Sequence, residues 1–220
     1  SVETLKRKPV LIEYKVKGKK YTKRVDTTDI GLLEQIERLP VPDEMVTDEL
    51  PYMHMTHERA RLDNHGVTHL HHFFLPRPRH SLAALWRRVQ AVSDHRLRGF
   101  LFFTIEQAIW GMSMLARYVP THYSQVNQYL TGVYYISSLI SEVSPWYILD
   151  GKVKRLVRAF RNLPLQPACA AVSTQSSTAA TMPEGSVDYV FTDPPFGENI
   201  YYADLNYLVE SWHRVRTNSE

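Results

Sequence analysis

Glycine is scarce in this chain: nine occur among 220 residues, and the nearest pairs, Gly99 with Gly111 and Gly185 with Gly197, are twelve positions apart. Closely spaced glycines let backbone approach a phosphate or a cofactor without a Cβ in the way. Their absence excludes a Gly-x-Gly dinucleotide loop and a Gly-x-x-x-x-Gly-Lys phosphate loop. Cysteine is rarer still. Cys169 stands alone among Ala168, Ala170, Ala171 and Val172, so an internal disulfide and a cysteine zinc site are excluded, and a buried inert thiol is expected. No His-Glu-x-x-His spacing and no nucleophile elbow are present. No long hydrophobic run exists either. The longest, Gly99 to Leu115, is broken by Glu106 and Gln107 and is short for a bilayer span. No secretory signal opens the sequence, so a soluble cytoplasmic protein with no membrane partner is expected.

Charge of one sign is also lacking in bulk, with a net of +3, but the cations are grouped. Lys17, Lys19, Lys20, Lys23 and Arg24 form one set, Arg77, Arg79, Arg87 and Arg88 a second, and Lys152, Lys154, Arg155, Arg158 and Arg161 a third. Each set suits a solvated face or a phosphate backbone. Arg77 and Arg79 are the candidates for nucleic-acid backbone contact. Seven of the ten histidines fall between His54 and His80. His54 with His57, and His69 with His71, have spacings a metal could use, but no recognised ligand set appears, and we expect no metal.

The pattern of apolar residues divides the chain into three. Residues 1–76 read as an N-terminal hairpin (Val10 to Val16, returning at Tyr21 to Val25), a short helix capped by Thr27 or Thr28, and an irregular, proline-punctuated and histidine-rich stretch. Residues 77–165 read as helical: Ser81 to Val92, then an all-round apolar helix from Leu101 to Tyr118, then Lys152 to Asn162 ended by Pro164, with strand character from Tyr129 to Ile140. Residues 166–220 change character. Pro167 to Ser173 and Ser186 to Thr192 read as strands, with a polar loop between them, and Tyr201 to Val215 as a helix. That rhythm belongs to an open α/β sheet.

In such sheets, functional residues collect at the carboxyl ends of strands. Asp193 holds that position, followed by Pro194, Pro195 and Phe196. The prolines fix their own torsions and cannot continue a ladder, yet their carbonyls remain acceptors. A carboxylate beside an acceptor-rich turn suits an amine with two N–H donors, and Phe196 offers a flat face for a planar base.

At these residues the sequence resembles the S-adenosylmethionine-dependent amino-methyltransferases whose motif is Asp, Asn or Ser, then Pro-Pro, then Tyr, Phe or Trp. The approach from Met182 to Thr192 and the continuation from Asn199 to Leu205 resemble large bacterial and archaeal adenine-specific DNA methylases that carry a zinc-ribbon insert. The passage from Gly66 to Phe74 and the opening hairpin are similar to their middle portion. The resemblance spans most of the chain. It implies a partial Rossmann-like class I methyltransferase sheet with an N-terminal β-hairpin and a helical middle region. It implies that Asp193 accepts from the exocyclic amine of adenine or cytosine, that the Pro194 carbonyl takes the second N–H, and that Phe196 stacks on a base flipped out of DNA. Asn199, Tyr201 and Tyr202 would line the base pocket. Asp193 is the one cofactor-binding residue it places here, because the glycine-rich loop and the zinc insert lie upstream in those proteins. The chain is therefore expected to be a fragment or one part of a split enzyme, partnered by DNA and by the missing cofactor-binding segment or subunit. An RNA base methyltransferase and a non-catalytic nucleic-acid-binding domain that keeps the fold are the rival readings.

Overall fold

The computed structural model describes residues 7–126, 134–163, 182–193 and 201–215. Strands β1 (Leu11–Val16) and β2 (Lys19–Arg24) pair antiparallel, from Leu11 opposite Arg24 to Val16 opposite Lys19. The turn puts Lys17 and Gly18 both at positive φ, 48° and 81°, the two-residue geometry whose twist matches a hairpin. Tyr14 and Tyr21 face each other across the ladder with ring centroids 5.7 Å apart. Helix α1 (Thr27–Glu37) is capped by Asp26 and not by Thr27 or Thr28. The Asp26 carboxylate accepts from the Asp29 amide at 3.0 Å, Asp29 returns the bond at 3.1 Å, and Lys23 contacts both carboxylates. A hydroxyl one residue later could not offer that reciprocal box.

The stretch expected to be irregular is irregular, but it is also the centre of the core. Met45, Val46, Met55, Leu62, Val67, Leu70, Phe73 and Phe74 are buried there. A π-helical turn (His54–Arg59) carries Met55, a 3₁₀ turn (Leu70–Phe73) carries Leu70 and Phe73, and a second 3₁₀ turn (Asp63–His65) links them, the others lying in the irregular chain around these turns. Bonds from the Leu50 amide to the Thr68 carbonyl (2.8 Å) and from the Leu70 amide to the Asp48 carbonyl (3.0 Å) fasten the two ends of the stretch together.

Helix α2 (Pro76–Gln90) begins five residues before the expected cap at Ser81. Pro76 and Pro78 fall in the first turn, where amides have no partner within the helix, so prolines cost nothing there. Its face of Leu82, Ala83, Trp86 and Val89 is buried. The single helix expected from Leu101 to Tyr118 is instead three elements: α3 (His95–Glu106), capped by Asp94, α4 (Ile109–Met112) and strand β3 (Arg117–Val119), which pairs with β4 (Tyr123–Gln125). Ser113 explains the break. Its hydroxyl donates to the Trp110 carbonyl and accepts from the Leu115 amide, a local competitor for helical bonds. The Met114 amide then joins the Phe73 carbonyl at 2.7 Å. Nor is α3 apolar all round in its setting, since Phe100 and Phe103 lie exposed.

Of the expected strand from Tyr129 to Ile140, residues 129–133 lie outside the described residues, and the rest forms only a bridge between Ile140 and Arg117. Helix α5 (Pro145–Asn162) starts earlier than Lys152, again with proline in its first turn, and buries only Leu149. The Ser186–Thr192 segment is not assigned to a strand among the described residues, bends at Asp188, and exposes Tyr189 and Phe191 (79% and 81%). Residues 164–181, which include its expected neighbour Pro167 to Ser173 and the expected polar loop, lie outside the described residues. Its entry is a tight turn, with Gly185 at φ 68° and the Ser186 amide and hydroxyl both donating to the Pro183 carbonyl. The described residues thus form a mixed α and β structure with two small antiparallel sheets.

Helix α6 (Tyr202–His213) closes the core. Trp212 packs against Trp86 (5.1 Å) and edge-on against Phe74 (6.2 Å). At its other end the buried Asp204 carboxylate accepts from the Met55 amide at 2.9 Å, and the Tyr134 hydroxyl meets the carbonyls of Asp204 and Leu205. One hydrophobic cluster therefore draws on all three expected segments. Asp204→Ala leaves the buried Met55 amide without an acceptor and is expected to lower unfolding free energy by about 1–3 kcal/mol. Asp204→Asn, which keeps an acceptor oxygen, should recover at least half of that in urea melts.

Candidate functional site

Asp193 ends the exposed run 182–193, with its side chain at the surface. Pro194, Pro195, Phe196 and Asn199 lie outside the described residues. The chain returns at Tyr201, the residue preceding α6, and Tyr202, the first residue of that helix. Arg77 pairs with Glu142, Nε to Oε1 at 2.5 Å. Arg79 uses its Nε to donate to the His71 and Phe74 carbonyls at 3.0 and 2.7 Å. That bond set fastens the end of the 3₁₀ turn at Leu70–Phe73 to the first turn of α2, so Arg79 has a structural task whatever else it contacts.

Tyr201 does not stand alone. The His54 ring stacks on it at 4.2 Å and 23°, and the Arg59 guanidinium carbon sits 5.7 Å from its centroid. His54 in turn is held at both nitrogens. Arg59 can only donate, so its bond to Nε2 at 3.0 Å makes that nitrogen the acceptor, and Nδ1–H donates to Glu58 Oε2 at 2.6 Å. The other Glu58 oxygen accepts from the Tyr52 hydroxyl at 2.9 Å, and Tyr52 stacks on His57 at 5.1 Å. The hydrogen bond holds the Tyr52 proton and pushes its pKa up. Two aromatic stacks are thus cross-tied by one carboxylate. With His54 on one face of Tyr201, a base stacking on that ring would have to use the opposite face.

The π-helical turn makes this arrangement. Its wider winding brings His54 within reach of both Glu58 and Arg59, four and five residues on. Turns of this kind recur at functional sites. Arg61 follows at φ 48°, a left-handed conformation unusual for a side-chain-bearing residue. Sequence reasoning missed this cluster. The signal was the density of Tyr52, His54, His57, Glu58 and Arg59 within eight positions, which histidine spacing alone reads only as a metal question.

Among the described residues, no group of three or more His, Cys, Asp or Glu side chains is arranged to hold a metal ion. The reason is visible in the turns. His57 Nδ1 accepts from the Met53 amide, and His72 Nδ1 accepts from the amides of Thr68 and His69. An imidazole that accepts through Nδ1 carries its proton on Nε2, so neither nitrogen has a lone pair to spare. These histidines act as caps. His69, His71 and His72 also pack ring to ring at 4.2–5.6 Å. Burial, helped by His72, Arg79 and His69, holds the His71 pKa down at about 4, and burial depresses His72 as well. Buried His71 Nδ1 has no hydrogen-bond partner.

Since both folded-state pKa values lie below the ordinary 6.5, the unfolded chain takes up protons first as the pH falls. Stability is full above about 6.5 and declines between there and about 4. Thermal melts should show Tm falling across that window, and His71→Phe should flatten the fall. An equal fall in the variant would move the effect elsewhere.

Among the described residues no helix is long and apolar enough to cross a membrane. No protein-family model, no curated protein and no solved structure matches the chain.

Proposed function

We propose that this chain is the target-amine part of an S-adenosylmethionine-dependent amino-methyltransferase that acts on the exocyclic amine of adenine, or of cytosine, in DNA. The observation that carries the reading is the Asp193-Pro194-Pro195-Phe196 stretch, preceded by an exposed run and followed within a few residues by the well-anchored helix α6. A partial Rossmann-like sheet, with the Pro167–Ser173 and Ser186–Thr192 segments as strands, is the architecture that belongs with it.

In this reading Asp193 and the Pro194 carbonyl accept the two N–H groups of a flipped-out base, and Phe196 stacks on its ring. Asn199 and Tyr202 line the pocket, and Tyr201 does so through the face or edge that His54 leaves open. Accepting both protons turns the amine's lone pair toward the methyl donor, so the contribution of these residues is alignment and electrostatic support of the nitrogen as it becomes positive. The cofactor, when bound, supplies the methyl group. Its cradle does not fit this chain, whose glycines are too widely spaced to form the loop. That loop belongs to another segment or subunit. Arg77 and Arg79 are assigned to the DNA backbone, with Arg77 exchanging Glu142 for a phosphate.

Methyl transfer from tritiated S-adenosylmethionine, with the segment bearing that loop supplied, tests the reading. Incorporation into DNA and not into RNA is expected. Asp193→Ala should reduce it at least about hundred-fold, the scale of losing one preorganised group at the reacting centre. Retained transfer in that variant would place the chemistry elsewhere, and transfer to RNA alone would change the substrate class. Calorimetric titration of this chain by itself should show no micromolar affinity for S-adenosylmethionine.

A further inference from the structure

Tyr52 is 73% exposed, yet its ring is not free to turn. His57 backs one face and the Glu58 carboxylate holds the hydroxyl. An exposed but immobilised aromatic is a poor use of apolar surface unless something stacks on it, because the cost in ordering is met while the ring stays wet. Beside it the His54–Tyr201 pair forms the second stack, and Glu58 bonds to both Tyr52 and His54, so the two stacks move as one. Exposed Arg59 adds a cation at the same edge, its Nε spent on His54. The π-helical turn and the left-handed Arg61 show that backbone regularity is given up to hold this set. Behind it, the Met55–Asp204 bond fixes the turn to the core.

Pinned aromatic faces with a guanidinium alongside are the chemistry that recognises unpaired nucleotides: every base offers a π-face, and the cation serves the adjoining phosphate. We propose that Tyr52, backed by His57 and flanked by Arg59 and the His54–Tyr201 pair, is a stacking platform for an unpaired nucleobase of a single-stranded or locally opened nucleic acid. The occupant is an unpaired nucleobase other than the target base. The platform shares Tyr201 with the pocket proposed above, but it requires no methyl transfer.

Fluorescence titration of the full chain with a short single-stranded oligodeoxynucleotide carrying central 2-aminopurine tests the platform, with the same strand made duplex or abasic as comparison. The parent chain should quench the probe and favour the single strand over both comparisons. Tyr52→Ala should weaken binding about ten-fold, the scale of one base–aromatic stack, and Tyr52→Phe, which keeps the ring, should weaken it less. Arg59→Gln should weaken binding and also reduce its salt dependence. Tyr14→Ala, on the distant hairpin, should change nothing. Because Tyr52 is exposed, matching thermal melts establish that the variants fold. Equal affinity of Tyr52→Ala and parent, equal affinity for the abasic strand, no binding of the single strand, or an equal loss in Tyr14→Ala would each overturn the platform. Stacking is read with no methyl donor present and Asp193→Ala is read by methyl transfer alone, so absence of methyl transfer and absence of stacking are separate failures.

Discussion

The hydrogen bond from the Met55 amide to the Asp204 carboxylate joins residues 149 positions apart, and the arrangement of both candidate surfaces depends on it. It is made where both partners are buried, so losing it would strand a polar group away from water. On one side of it the chain winds through the π-helical turn that carries His54, Glu58 and Arg59. On the other it enters α6 directly after Tyr201. The Tyr134 hydroxyl, donating to carbonyls of the same first turn, and the Trp212 packing at the far end hold α6 against sliding. Both ends of α6 are thereby tied to the core, and with them the position of Tyr201.

Much of this fold is written in local pattern. The hairpin is legible because Lys17-Gly18 permits positive φ between two alternating runs, and α6 because Leu205, Leu208 and Trp212 recur at helical spacing. Local pattern fails where a competing local rule wins. Prolines that look like breakers at Pro76 and Pro145 are helix starts, since the first turn asks nothing of their nitrogens. The apolar run through Gly99 to Leu115 looks like one buried helix, but the Ser113 hydroxyl ends it and the Phe73 carbonyl recruits the Met114 amide. Neither event has a signature in hydrophobic periodicity. The core contribution of residues 45–74 was hidden for a related reason. Its apolar side chains are placed by one π-helical turn, two 3₁₀ turns and the irregular chain around them, so they follow no single period.

The site divides along the same line. Asp193-Pro194-Pro195-Phe196 is legible because its chemistry is contiguous. The Tyr52–Glu58–His54–Tyr201 chain is not, since its last member comes from the other end of the molecule and its first three depend on a π-helical winding. The histidines show how composition can mislead. A stretch so rich in imidazole invites a metal, whereas His57 and His72 use Nδ1 to accept backbone amides at the start of tight turns. Glutamate and glutamine usually fill that role, reaching back from the first turn to the amide of the capping residue. An imidazole does so only while neutral, and burial depresses the His72 pKa, which couples the Leu70–Phe73 turn to pH.

One structural consequence links the two candidate surfaces. Tyr201 is the residue where the segment following the motif rejoins the described structure, and His54 sits on its ring. His54 is oriented by Glu58, and Glu58 also holds Tyr52. A displacement at the Tyr52 face therefore has a short mechanical route to the C-terminal end of the motif segment: one carboxylate, one imidazole and one stacked pair. Each step is a contact of 2.6 to 4.2 Å between groups with few alternative partners. Such a route transmits position well and charge poorly, because Nε2 of His54 is committed to Arg59 and cannot relay a proton onward. The cluster is thus suited to fixing the position of Tyr201 and not to moving protons.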